Sequence, residues 1–112
     1  MADSDSIVVL VTASSEEEAT ALGRSLIGQH LAACVNVLPK VQSIFQWEGK
    51  TSEEEEYLMV VKTRKSLFQD VEKTILADHS YDVTEIIALP IVAGYQPYMS
   101  WIHDMTNEQK SE

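Results

Sequence analysis

The spacing of apolar positions changes repeatedly along this chain, and each change marks an element. Ile7 to Val11 is a continuous apolar run rich in β-branched residues, as expected of a strand covered on both faces. Ser15-x-x-Glu18 then has the form of a capping box, with Glu16 to Glu18 suited to the positive end of a helix dipole. Leu22, Leu26, Ile27 and Leu31 follow at helical spacing, so the pattern predicts a helix from Glu16 to His30. Ala33 to Trp47 and Glu53 to Thr63 both read as strand, joined by the turn Glu48-Gly49-Lys50-Thr51-Ser52. Pro39 cannot donate to a ladder and marks an edge or bulge. Beyond it Val41, Ser43, Phe45 and Trp47 share one face, while Gln42, Ile44 and Gln46 share the other. Tyr57 to Val61 is apolar on both faces. Ser66-x-x-Gln69 reads as the cap of a second helix with the stripe Leu67, Phe68, Val71, Ile75 and Leu76. His79 to Glu85 is a polar loop, and Ile86 to Val92 a last strand whose Pro90 implies an edge or bulge. Tyr98, Trp101, Ile102 and Met105 place a short helix at the end.

The order β-α-β-β-α-β plus a terminal helix is the ferredoxin-like, split βαβ arrangement of class α+β, with helices on one face of an antiparallel sheet. It is expected to form one domain over residues 1–112, with frayed ends at 1–5 and 108–112. The central hairpin is too long for that domain. A strand from Ala33 to Trp47 would reach roughly 50 Å at about 3.3 Å per residue. A compact chain of this length is only about 34 Å across. The projecting part carries Phe45 and Trp47, with Tyr57 on the returning strand, and covering these aromatics is worth on the order of 10 kcal/mol. The hairpin therefore reads as an oligomerisation arm, with Phe45, Trp47 and Tyr57 at the interface. The bare face of the sheet also needs a cover, and three copies around an axis supply one.

Charge narrows the partners. Eighteen acidic residues against eight basic ones give a formal net charge of −10. That balance argues against nucleic acid and against an anionic membrane surface. No apolar run is long enough to cross a bilayer as a helix. The start Met1-Ala2-Asp3-Ser4-Asp5 is acidic where a secretory signal would be positive, and the lone Cys34 has no partner for an internal disulfide. Both point to the cytoplasm.

Ferredoxin-like folds host unrelated functions, so the site must decide. The first strand ends Val11-Thr12-Ala13, without the cysteine pair of a metallochaperone or the arginine of an acylphosphatase. The run Glu53 to Glu56 would repel RNA. It serves to keep a strand soluble, and Glu56, beside the apolar stretch, is the one expected to be drawn inward. Cys34 reads as a buried, inert thiol, His30 as a helix-end histidine and His103 as a solvated one. His79 opens a loop holding Tyr81, Asp82 and Glu85, where imidazole beside carboxylate or thiolate would suit copper or zinc; a hydrogen-bonded loop histidine is the competing reading. Lys62 shares a strand face with Glu56, Leu58 and Val60, and a covered sheet would require an anionic partner such as Glu56, Glu85 or a ligand. No nucleophile stands beside a base and no glycine loop cradles phosphate, so neither an enzyme nor an organic cofactor is expected.

Ala32-Ala33-Cys34-Val35-Asn36, Trp47-Glu48-Gly49-Lys50, Lys62-Thr63, the loop His79 to Glu85 with Ile86-Ile87, and Tyr98-x-x-Trp101 occur in an order that resembles the CutA-type divalent-cation tolerance proteins. The resemblance covers nearly the whole chain. It implies a tight homotrimer joined through the long hairpins and a cytoplasmic role linked to copper and other divalent cations. The family's proposed copper ligands are replaced in part: Val11 stands where a cysteine is expected, and a histidine pair becomes Asp78-His79. Any metal is then expected at His79 with Glu85, Asp78 or Cys34, within one chain or across a subunit boundary. The alternative function is a ligand-sensing signalling or scaffold trimer, holding a small anion in an inter-subunit cleft near Lys62, Glu56, Tyr81 and Trp101.

Overall fold

A computed structural model describes residues 5–106. The expected frayed ends lie outside these residues, Asp5 excepted. The elements run β1 (Ser6–Ala13), α1 (Glu16–Gly28), β2 (Cys34–Trp47), β3 (Lys50–Arg64), a 3-10 turn (Lys65–Leu67), α2 (Phe68–Asp78), β4 (Ile86–Pro90) and α3 (Gln96–Met105). The strands form one sheet in the order β2-β3-β1-β4, every neighbouring pair antiparallel. This is the ferredoxin-like topology that the element order predicts.

Strand periodicity divides the sheet into two faces. Val9, Val11, Met59 and Val61 turn to one side and are fully buried against Leu22 and Leu26 of α1 and Val71 and Ile75 of α2. Val8, Leu10, Leu58, Val60 and Lys62 turn to the other. There α3 covers one end: Ile102 is fully buried, and Arg64 holds the helix end through Nε to Thr106 Oγ1 (2.9 Å) and Nη2 to the Thr106 carbonyl (2.5 Å). Past α3 the face is open. Leu38 is 42% exposed, and Ile87 and Leu89 are each 50% exposed.

The bulge expected at Pro39 is present, and it decides where the arm's aromatics go. Leu38 pairs with Leu58, but Val41 pairs with Glu56, so β2 carries one extra residue there; Lys40 takes φ 57°. An inserted residue inverts the alternation. Val41, Ser43, Phe45 and Trp47 are thereby moved from the helix side to the open side, continuing the exposed apolar face onto the arm. Tyr57 does the reverse: it stands opposite Ala13, on the helix side, and packs against the core. Tyr57 thus stands on the opposite side of the sheet from Phe45 and Trp47, which the sequence groups with it. The arm stretches the molecule to 46 Å in its long direction.

Several boundaries differ from the sequence expectation. The hairpin turn is the dipeptide Glu48-Gly49, with φ of 51° and 81°, so Lys50 to Ser52 belong to β3 and not to a five-residue turn. Positive φ at both positions matches the twist of the flanking strands. Helix α1 stops at Gly28, short of His30, because His30 is left-handed at φ 61°. Leu31 N–H bonds back to the Leu26 carbonyl and His30 N–H to that of Ile27, a Schellman end with histidine at the position glycine prefers. Ser15 caps α1 as predicted, accepting from Glu18 N–H at 3.1 Å. Ser66 caps nothing; the 3-10 turn shifts the start of α2 beyond it, and its hydroxyl lies 3.5 Å from Asp5. β4 ends at Pro90, two residues before the expected Val92, on an outer strand where a missing donor is tolerated.

Candidate functional site

The end of β1, the start of α1, the loop 79–85 and the base of the arm meet at one place. His79 is the hinge of it. Its side chain is 1% exposed; Nδ1 accepts from Tyr81 N–H at 3.1 Å, which leaves Nε2 to donate to the Thr12 carbonyl at 2.7 Å. Those bonds fix one neutral tautomer and occupy both ring nitrogens. Glu18 clamps the same loop: Oε2 accepts from Ser80 N–H at 2.7 Å and Oε1 from Ser14 N–H at 2.9 Å. Partial burial pushes the Glu18 carboxyl up, but the bonds from Ser14 and Ser80 outweigh it and hold it below the usual carboxylate range.

Next to His79, the Tyr81 ring (centroids 4.7 Å apart) aims its hydroxyl at the arm, where it donates to Glu56 Oε2 at 2.7 Å. Ser43 donates to Glu56 Oε1 at 2.5 Å. Glu56 is only 8% exposed, drawn inward as expected, and no cation stands within 4.0 Å of it among the described residues. Burial pushes the Tyr81 phenol up, and the Glu56 bond and charge push it further. A groove of about 800 Å³ opens here, lined by Phe45, Trp47, Glu54, Tyr81, Asp82 and Glu85 among others.

A second cluster lies at the far end of the open face. Lys62 Nζ donates to Asn36 Oδ1 and sits 4.0 Å from Cys34 Sγ. Tyr98 of α3 lies near the same thiol; burial first, then the proximity of Cys34, raise its phenol. Trp101 packs on Tyr98, ring centroids 5.5 Å apart. Cys34 is thus half-buried beside a lysine and is not the enclosed thiol expected.

These placements sort the predicted residues. Within one chain the residues expected at an inter-subunit ligand cleft stand at two places: Glu56 with Tyr81, and Lys62 near Trp101. The expected metal donors do not converge within one chain either. His79 has no free lone pair, Asp78 and Glu85 are exposed, and Cys34 belongs to the other cluster. Among the described residues no three His, Cys, Asp or Glu side chains are grouped to hold a metal, so the donor set of one chain does not fit a metal centre. His103, expected in solvent, is half-buried with Nδ1 lacking a partner among the described residues. Glu18, Ser43 and Asn36 were not singled out as site residues by sequence reasoning. Glu18 carried a signal, since a capping glutamate has a second oxygen to offer; the other two carried none.

The comparisons with known proteins fit this architecture. The family described as CutA1 divalent ion tolerance protein matches residues 7–105. The chain is 43% identical over 101 residues to "Protein CutA, chloroplastic" of Arabidopsis thaliana, covering 90% of this chain and 56% of that protein. It is 41% identical over 99 residues to the "Divalent-cation tolerance protein CutA" of Thermus thermophilus, covering 88% and 96%. It thus spans little more than half the length of the plant relative but nearly all of the bacterial one. The crystal structure of CutA1 from Oryza sativa superposes with a TM-score of 0.91 at 42% identity, covering 96% of this chain and 99% of that one. The chain belongs to the CutA1 divalent ion tolerance family.

Proposed function

We propose that the chain is a homotrimer that binds copper or another divalent cation and serves metal tolerance as a binding protein, not as an enzyme. One observation carries the trimer: the open face of the sheet leaves Leu38, Ile87 and Leu89 uncovered, and beyond the Ser43–Glu56 pair the arm adds Phe45 and Trp47 on the same side, each of the five at least 39% exposed. A patch of that kind calls for a protein cover. Three is the number the family resemblance implies. The printed name of the Thermus relative supports the cation.

Within one chain the donors stay apart, so the reading places the cation at carboxylates, Asp78 and Glu85 among them, that neighbouring copies bring together. His79 contributes a ligand only by giving up its bond to Tyr81 or Thr12, which makes for modest affinity. The lone Cys34 supports a reducing compartment, the cytoplasm. Light scattering at micromolar concentration tests the assembly, and a single-chain mass sinks it. Titration calorimetry with copper(II) tests the cation. Heat in the wild type that disappears in Asp78→Asn/Glu85→Gln supports the reading; negligible heat in the wild type overturns it.

A further inference from the structure

We infer that Lys62 of one copy pairs with Glu56 of the next, so that each Ser43–Glu56–Tyr81 site is completed by a lysine from a second chain. The inference deepens the homotrimer reading and rests on it. Both residues lie on β3 at even positions and therefore on the same, open face of the sheet. Six residues separate them, which is about 20 Å along a strand, so they cannot meet within one chain.

Each is half of an ion pair. Lys62 is half-buried and has only Asn36 Oδ1 and Cys34 Sγ beside Nζ; no carboxylate lies within 4.0 Å among the described residues. Glu56 is 8% exposed and accepts from two neutral hydroxyls, leaving lone pairs unused on a charged group. What remains of its surface opens into the groove. Covering this face with another copy would strand both charges out of water, a heavy cost unless each finds its opposite. Head-to-tail contacts in a closed ring bring unlike parts of the surface together. A cation at one end of the face and an anion at the other are complementary under that operation.

The pair is tested on the intact protein. Chains labelled with nitrogen-14 and nitrogen-15 are mixed, unfolded and refolded together, then treated with a carbodiimide that joins amine to carboxylate without a spacer. An isopeptide between Lys62 and Glu56 peptides of unlike label is the expected product. Lys62→Glu and Glu56→Lys should each raise the concentration at which the assembly half-dissociates by at least about tenfold, and the double reversal should recover most of the loss. Glu56→Gln removes the charge, its Oε1 still accepting from one hydroxyl while its Nε2–H donates to the other, and should still weaken assembly. A trimeric wild type that yields no such cross-link, with a double reversal no better than the worse single variant, overturns the pair but leaves the trimer standing. A single-chain wild type overturns both.

Discussion

The Tyr81 hydroxyl donates to Glu56 Oε2 at 2.7 Å and so fastens the loop after α2 to the base of the arm. Tyr81→Phe leaves the ring and its packing on His79 but removes one of two donors to a buried carboxylate. A buried acceptor that loses its partner costs about 1–3 kcal/mol. The raised phenol keeps its proton through neutral pH, so the donor is present under ordinary conditions. Urea denaturation at pH 7 should show a lower midpoint for the variant, and an unchanged midpoint would mean that solvent already supplies Glu56.

His30 supplies a second prediction from geometry alone. It is exposed, left-handed at φ 61°, and closes a Schellman end that glycine would close without steric conflict. The left-handed conformation costs an L-residue roughly 1–2 kcal/mol, and part of the gain from glycine is returned as unfolded-chain entropy. His30→Gly should therefore stabilise the protein by up to about 1 kcal/mol. Thermal unfolding measures it; a lower melting temperature would show that the imidazole makes a contact worth more than the strain.

Apolar spacing made the elements and their order legible, because β1, α1, β3 and α2 each bury a face whose period is written in the residues. The inward turn of Glu56 was legible too, from its place beside an apolar stretch. The bulge was visible at Pro39, but its consequence was not: only the pairing of Val41 with Glu56 shows which side the arm's aromatics take. The side that Tyr57 takes was hidden for a related reason, since its place opposite Ala13 depends on register and not on composition. The site was legible by location and not by chemistry. His79 and Tyr81 were singled out, yet that both imidazole nitrogens are spent on Thr12 and Tyr81 depends on contacts 67 and 2 residues away. No local spacing encodes that.

Glu18 ties stability to pH. Its carboxyl is held below its ordinary value of 4.5 by bonds from Ser14 and Ser80. A depressed folded-state value means the folded chain holds this proton less tightly than the unfolded one. The contribution is therefore complete above pH 4.5 and is lost as pH falls below 4.5 through the folded-state value. Denaturation midpoints of wild type and Glu18→Gln should differ most near neutrality and converge in acid below that point. Parallel curves across the range would assign the loop's anchoring to groups other than this carboxylate.

The arm gives the last prediction. Phe45 and Trp47 are 39% and 46% exposed and absent from the core, so truncating them removes little from the fold of one chain. In an assembly the same side chains sit on the apolar face that a neighbour covers, and aromatic anchors of that kind cost roughly 2 kcal/mol or more each when cut to alanine. Together that is on the order of a thousandfold in a dissociation constant. Phe45→Ala/Trp47→Ala should thus scatter light as a single chain at micromolar concentration while its circular dichroism stays that of a folded α+β protein. A double variant that keeps the assembled mass would place the contact between copies on the open sheet around Ile87 and Leu89, and would leave the arm without a part in it.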